Sequence, residues 1–152
     1  MRKGQPSPYE VPVYRVILVK EDSIGIQEQK HTDASSIAPL LFKHFEALDR
    51  ECFAVVLLNG NNRIIGINTV SIGSLNQTIT DPREVFKPAI LSNAAAVILA
   101  HNHPSGEASP SQKDILLTQQ LVAAGQLLGI PLRDHLVVTK NDYFSFRQHH
   151  LL

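Results

Sequence analysis

The apolar positions change period several times along the chain, and each change marks an element. From Val11 to Val19 the run VPVYRVILV is rich in β-branched residues and partly alternates, which predicts a strand weakened only by Pro12 near its start. Residues 33–48, DASSIAPLLFKHFEAL, place Ile37, Leu40, Leu41, Phe45 and Leu48 close to helical spacing, with Asp33 or Ser35 as the cap. Pro39 is expected to push the start of that helix toward Ala38, because proline is tolerated only in the first turn. Two apolar runs follow, CFAVVLL at 52–58 and RIIGINTVSI at 63–72. The residues between them, Asn59, Gly60, Asn61 and Asn62, tolerate positive φ, so the pair reads as a β-hairpin.

Asp81, Pro82 and Glu84 have the order of a helix start: a cap, a first-turn proline and a carboxylate able to reach back. VFKPAIL continues it as a short helix limited by Pro88. At 94–100, AAAVILA is uninterrupted and of strand length, which predicts a strand covered on both faces at the centre of a sheet. It runs directly into His101, Asn102 and His103. PSGEASP then has turn composition, and SQKDILLTQQLVAAG resumes helical spacing through Ile115, Leu116, Leu121 and Val122, ended by Gly125 or Gly129. LRDHLVVT at 132–139 predicts a last strand, followed by a turn at Lys140 to Asp142 and a tail in which His149 and His150 read as frayed. The opening residues, with Gly4, Pro6 and Pro8, read as a loose arm. The expected organisation is a flexible arm over 1–10 and a single domain over 11–152.

Composition narrows the classes. In 152 residues, 43% hydrophobic and 18% charged side chains suffice for one real core and exclude a disordered tail or a coiled coil. Fourteen basic residues balance fourteen acidic ones, so no global field draws the chain to nucleic acid or anionic lipid. Cys52 is the single cysteine, which excludes internal disulfides, zinc ribbons and the Cys-x-x-Cys metal site of deaminases. In its apolar run it reads as a small buried hydrophobe in a reducing compartment. No run approaches the roughly 18 apolar residues of a membrane span, and MRKGQPSPYEVPVY lacks the apolar middle of a secretory signal; the expectation is a cytoplasmic protein with no membrane partner.

Candidate chemistry concentrates in HNHPSGEASPSQKD, residues 101–114. On an extended backbone residues two apart share a side, so His101 and His103 can face one ion while Asn102 faces away. The loop returns the chain as a helix start at Ser111, and Asp114 in its first turn can close a third position. Two nitrogens and one oxygen leave a tetrahedral Zn²⁺ an open corner for water, the arrangement of a catalytic site. Such an ion lowers the pKa of bound water from about 15.7 toward about 7 and polarises a carbonyl, which brings hydrolysis within reach at neutral pH. By position, Glu51, Glu84 and Glu107 compete as general base, and the residues alone leave the three open. Ser111-x-x-Asp114 is also a capping-box variant, and both roles are compatible. With this composition, a His-x-His-x₇-Ser-x-x-Asp pattern arises by chance in roughly one such sequence per thousand.

His101-x-His103-x₇-Ser111-x-x-Asp114 resembles the JAMM signature of MPN-type zinc metallopeptidases, whose best-known members remove ubiquitin or related tags. EVFKPAILSNAAAVILAHNHPSG and LLGIPLRDHLVV resemble more narrowly the bacterial RadC-like family, over about Glu51 to Phe146. The resemblance implies zinc on His101, His103 and Asp114, with Ser111 holding the water or the developing oxyanion. It also implies that Glu51, just before the first central apolar strand, is the catalytic base, which returns Glu84 to a helix-start carboxylate and Glu107 to a solvated loop residue. The implied fold is a three-layer α/β domain, a mixed sheet with helices on its faces, in the architecture JAMM domains share with cytidine deaminases.

Two departures stand out. Asn102 replaces the Ser or Thr usual between the histidines, which leaves ligation intact and bears on substrate contacts. RadC-like proteins also carry an N-terminal helix-hairpin-helix region that the short arm does not supply, so DNA association lacks that basis. The expected function is therefore a zinc-dependent hydrolase of peptide or isopeptide bonds. The alternative is a zinc-stabilised binding module in DNA repair or mobile-element maintenance, marked by salt-dependent nucleic-acid affinity. Asp134 and His135 reach the site only if their strand lies beside the histidine strand; a core histidine beside a solvated aspartate is the commoner arrangement.

Overall fold

The computed structural model describes residues 10–27, 29–73 and 80–152. Strands β1 (Cys52–Leu58), β2 (Ile64–Ile72), β3 (Ala96–Asn102), β4 (Leu132–Val138) and β5 (Tyr143–Ser145) form one sheet in the order β2-β1-β3-β4-β5. β1 runs antiparallel to β2 and to β3, β3 and β4 are parallel, and β5 returns antiparallel to β4, so the sheet is mixed. The uninterrupted apolar run of β3 occupies the centre, buried at every residue. Only a position covered on both faces suits such a sequence.

Side-chain alternation divides the core in two. Helix α1 (Ala34–Phe45) packs Ile37, Leu40, Leu41 and Phe45 on one face, against Ala54, Val56 and Leu58 of β1, Ile98 of β3 and Leu136 of β4. Helices α2 (Pro82–Leu91) and α3 (Gln112–Leu128) cover the other face, where Phe86 and Leu121 meet Phe53, Val55, Leu57, Val97 and Leu99. Each side chain of this size, fully removed from water, contributes about 1.5–3 kcal/mol before entropy is charged against it. The result is an α/β domain in three layers. Because residues two apart share a face, Phe53, Leu99 and their neighbours set Glu51, His101 and His135 toward α3, while Asn102 and Asp134 face α1.

Several boundaries differ from expectation, each for a local reason. Val11–Val19 is not a strand: the segment has no regular secondary structure, and Val13 and Tyr14 stand 96% and 82% exposed. Strand propensity measures fit to a pleated neighbour, and the outer edge of β2 is taken at its start by residues 29–31, through His31 N–H to Asn62 O at 2.8 Å and Ile64 N–H to Gln29 O at 2.8 Å. α1 begins at Ala34, not near Ala38. Asp33 caps it, accepting from Ser36 N–H at 3.0 Å, and Pro39 sits inside with its ring in solvent. Burial of Ile37, Ala38 and Leu41 outweighs the lost hydrogen bond. Asp81 caps α2 as expected, but Glu84 turns to Lys87 at 2.9 Å instead of reaching back.

α3 ends at Gly129, whose φ of +70° suits a left-handed C-cap. Gly125 lies inside the helix, where a Cβ would stand 2.6 Å from the Ile130 carbonyl oxygen. The tail is ordered. β5 was not anticipated there, Phe146 is fully buried, and His149 stacks on Phe144 at 4.0 Å and bonds the Ser145 carbonyl at 2.9 Å. The loose arm expected at the N-terminus falls, for residues 1–9, outside the described residues. No helix among the described residues is long and apolar enough to cross a membrane.

Candidate metal centre

β3 delivers His101 at its last turn of alternation, and the chain then leaves the sheet at His103, whose N–H still bonds Val138 O of β4 at 2.8 Å. The following loop turns at Gly106, with φ of +91°, a conformation that glycine takes without a Cβ penalty. α3 then starts beneath the strand end. Ser111 is its N-cap: Asp114 N–H donates to Ser111 Oγ at 3.1 Å, and Ser111 N–H donates to Asp114 Oδ2 at 2.7 Å. This reciprocal pair is a capping box, and it also aims the carboxylate at the two imidazoles.

The three side chains converge. His101 Nε2 and His103 Nε2 are 3.1 Å apart, His101 Nε2 lies 3.4 Å from Asp114 Oδ1, and His103 Nε2 lies 3.5 Å from Asp114 Oδ2. A tetrahedral zinc with ligands at about 2.0–2.1 Å has ligand–ligand edges of about 3.3–3.4 Å. The group could hold a metal ion, and its two imidazoles and one carboxylate suit zinc. His103 Nδ1 stands 2.9 Å from the Glu107 carbonyl oxygen; that atom only accepts, so Nδ1 carries the proton. Donation of the second ring N–H to a backbone carbonyl is the usual way a ligating histidine is oriented.

The charges of the cluster are strongly coupled. Burial works to raise the Asp114 pKa, but the neighbouring imidazoles of His101 and His103 and the Ser111 N–H outweigh it and hold the carboxyl far below the usual range. The hydrogen bond to Asp114 raises the His103 pKa above 6.5 despite partial burial, with the Glu51 charge a smaller contribution in the same direction. His135 goes the other way: complete burial pushes its pKa well below 6.5, so it is neutral. In the same way burial raises the thiol of Cys52, which is fully enclosed and unreactive.

Glu51 immediately precedes β1. Phe53 pairs with His101, and extending that antiparallel register by two residues sets Glu51 across from His103. Asn102, on the opposite face from the ligands, fastens this stretch: its Oδ1 accepts from Cys52 N–H at 2.7 Å and its Nδ2 donates to Arg50 O at 3.0 Å. The backbone is thus held on both sides of Glu51, a role that facing away from the metal did not suggest. The other two glutamates stay outside. Glu84 pairs with Lys87 on α2, and Glu107 bonds Ser109 Oγ at 2.9 Å within the loop. Arg83 is likewise paired with Asp81 at 2.9 Å.

β4 does lie beside β3, and its two polar residues part company. His135 reaches the centre: its Nε2 is 2.8 Å from His101 Nδ1, and its Nδ1 is 2.6 Å from Thr118 Oγ1. Asp134 does not, and it is buried, not solvated. It accepts from Ser145 Oγ at 2.6 Å, from its neighbour His135 N–H at 2.7 Å and from Arg147 N–H at 3.0 Å, tying the tail to β4. Thr118 was missed from the sequence. Its signal was one helical turn from Asp114 on the same face of α3.

Comparison with known proteins agrees with this geometry. A family model described as RadC-like JAB domain matches residues 31–151. A UPF0758 protein of Moorella thermoacetica is 50% identical over 116 residues, 76% of this chain and 51% of its own. One from Alkaliphilus oremlandii is 40% identical over 127 residues, 84% of this chain and 55% of its own, and one from Pelobacter propionicus is 52% identical over 105 residues, 68% and 46% respectively. The chain spans about half the length of the curated relatives it matches. With a matched stretch covering most of the chain and a His-His-Asp cluster able to hold a metal at its strand end, the chain belongs to the family of RadC-like JAB domains.

Proposed function

We propose that this chain is a zinc-dependent hydrolase of peptide or isopeptide bonds, with His101, His103 and Asp114 as metal ligands and Glu51 as general base. The convergence of two imidazole nitrogens and one carboxylate oxygen at the end of β3, all within 4.8 Å of one another, carries the reading, because such a set would hold zinc and leave a position for water. Zn²⁺, when bound, supplies the charge that acidifies a water and polarises a carbonyl. The chain supplies the rest. Glu51, beside His103, takes a proton from the attacking water and returns it to the leaving amine. Ser111 Oγ already accepts from Asp114 N–H, so its own proton is left to donate to the developing oxyanion. Asn102 holds the backbone that carries Glu51. The partner is a peptide or protein substrate, met over the exposed loop at 104–109, and the lone buried Cys52 fits a reducing cytoplasm.

Elemental analysis of the untagged protein is expected to find about one zinc per chain, lost in His103→Ala. Glu51→Gln is expected to keep the zinc and to lower turnover of a peptide and isopeptide panel by at least about 100-fold. Full turnover in that variant would overturn the choice of base. No zinc after reconstitution would overturn the whole reading in favour of a binding module, which predicts salt-dependent nucleic-acid affinity unchanged by Glu51→Gln.

A further inference from the structure

His135 takes no part in the hydrolysis proposed above, yet it is wholly buried and makes two short polar contacts. Phe146 stacks on its ring at 4.6 Å and Phe53 meets it edge-on at 5.5 Å, so the imidazole is gripped from both sides. Its Nε2 faces His101 Nδ1 at 2.8 Å and its Nδ1 faces Thr118 Oγ1 at 2.6 Å. Thr118 Oγ1 in turn lies 2.6 Å from the backbone carbonyl oxygen of Asp114, one turn earlier on α3.

The direction of this chain of contacts follows from counting protons. A carbonyl oxygen only accepts, so the single hydroxyl proton of Thr118 goes to Asp114 O. The contact with His135 must then be Nδ1–H donating to Oγ1. A neutral imidazole has one N–H, which leaves His135 Nε2 bare, and the 2.8 Å contact is His101 Nδ1–H donating to it. His101 therefore carries its lone pair on Nε2, the atom that faces His103 and Asp114. Turning the Thr118 hydroxyl around would reverse both imidazole bonds, place a proton on His101 Nε2 and leave the 2.6 Å contact between Thr118 Oγ1 and the Asp114 carbonyl oxygen with no proton in it.

We infer that Thr118 and His135 form a relay, anchored on the Asp114 carbonyl, that sets the tautomer of His101 and so presents Nε2 as a ligand atom. Both are positioning residues, since neither touches the ion or the substrate. The inference rests on His101 being a metal ligand for its consequence, though not for the tautomer itself. Orientation of ligating histidines through their second nitrogen commonly changes metal affinity by 10–100-fold.

The test uses the full chain. Long-range ¹H–¹⁵N correlation on the metal-free protein reads which ring nitrogens carry protons, and is expected to find His101 protonated at Nδ1 with a bare Nε2. Zn²⁺ affinity, measured by competition with a chromophoric chelator, is expected to fall at least fivefold in Thr118→Val, which keeps the shape and loses the hydroxyl. Thr118→Ser, which restores it, should bind within about twofold of the parent. A proton on His101 Nε2 in the parent protein would overturn the relay, and so would a folded Thr118→Val with unchanged tautomer and unchanged affinity. The parent spectrum decides the question even if Thr118→Val does not fold. Failure of the parent to bind zinc would instead defeat the proposed function, leaving the tautomer to be judged by the spectrum.

Discussion

His101 and His103 stand two residues apart, yet they belong to regions built by different means. The strand side of the centre is core: His101 is 1% exposed, stacks parallel to Phe53 at 5.8 Å and leans on His135. On the loop side, His103 and Asp114 keep side-chain exposures of 16% and 13%, and they are held by one backbone carbonyl and one helix cap. A ligand on a central strand does double service, since the packing that orients it also depends on it. His103, on the loop, would serve the ion alone.

The strongest way to break that contrast is to truncate each histidine in turn. His101→Ala is expected to lose the metal and also to destabilise the metal-free protein by about 2–4 kcal/mol, as for other large-to-small changes in a packed interior. His103→Ala should lose the metal just as completely while costing less than about 1 kcal/mol. Urea titration of both metal-free variants, beside elemental analysis, checks the pair; equal destabilisation would dissolve the distinction. Asn102→Ala tests the strand side without touching a ligand. It leaves the Cys52 N–H without its side-chain acceptor and should cost about 1–3 kcal/mol, with zinc retained and turnover reduced through a loosened Glu51. Turnover unchanged at full zinc occupancy would free Glu51 from that support.

A smaller effect is expected from pH. In the metal-free protein His103 has its pKa raised by Asp114, so its contribution to stability is complete below pH 6.5 and is lost as pH rises through the folded value. Asp114, held far below 3.8, keeps its contribution until strongly acid pH. His135 has a depressed pKa and stays neutral in the fold, so stability declines as pH falls below 6.5 and the unfolded chain gains that proton. The loop side thus weakens the protein on the alkaline side and the strand side weakens it in acid. Melting temperatures of metal-free protein from pH 5 to 9 should show both limbs, and His103→Gln should remove the alkaline one alone. Added zinc should stabilise more as pH rises, because its ligands must shed protons.

These two regions were also unequally legible in the sequence. The strand expected at 94–100, found at 96–102, was readable because an uninterrupted apolar run admits few other placements, and the capped helix at Ser111 because its start is written locally in Ser111 and Asp114. The ligand set follows from both by alternation and helical phase. What local pattern cannot supply is pairing. Val11–Val19 has the composition of a strand and no partner among the described residues, whereas β5 has three residues and exists because Asp134 and β4 hold it. The same applies at the site: whether His135 reaches His101 depends on β3 and β4 being neighbours, a fact of topology that neither strand states alone.

The Ser111–Asp114 cap has one more consequence, which concerns what folding alone would preserve among the three candidate ligands. Asp114 ends the orphan amides of a helix whether or not an ion is present, so selection for folding alone would preserve it. His101 is shielded in the same way by its packing. His103 has neither protection, and without selection for metal binding it would be the first of the three free to drift. In a RadC-like domain of unknown standing, an intact aspartate is therefore weak testimony to a living metal centre, and the second histidine is the letter to read.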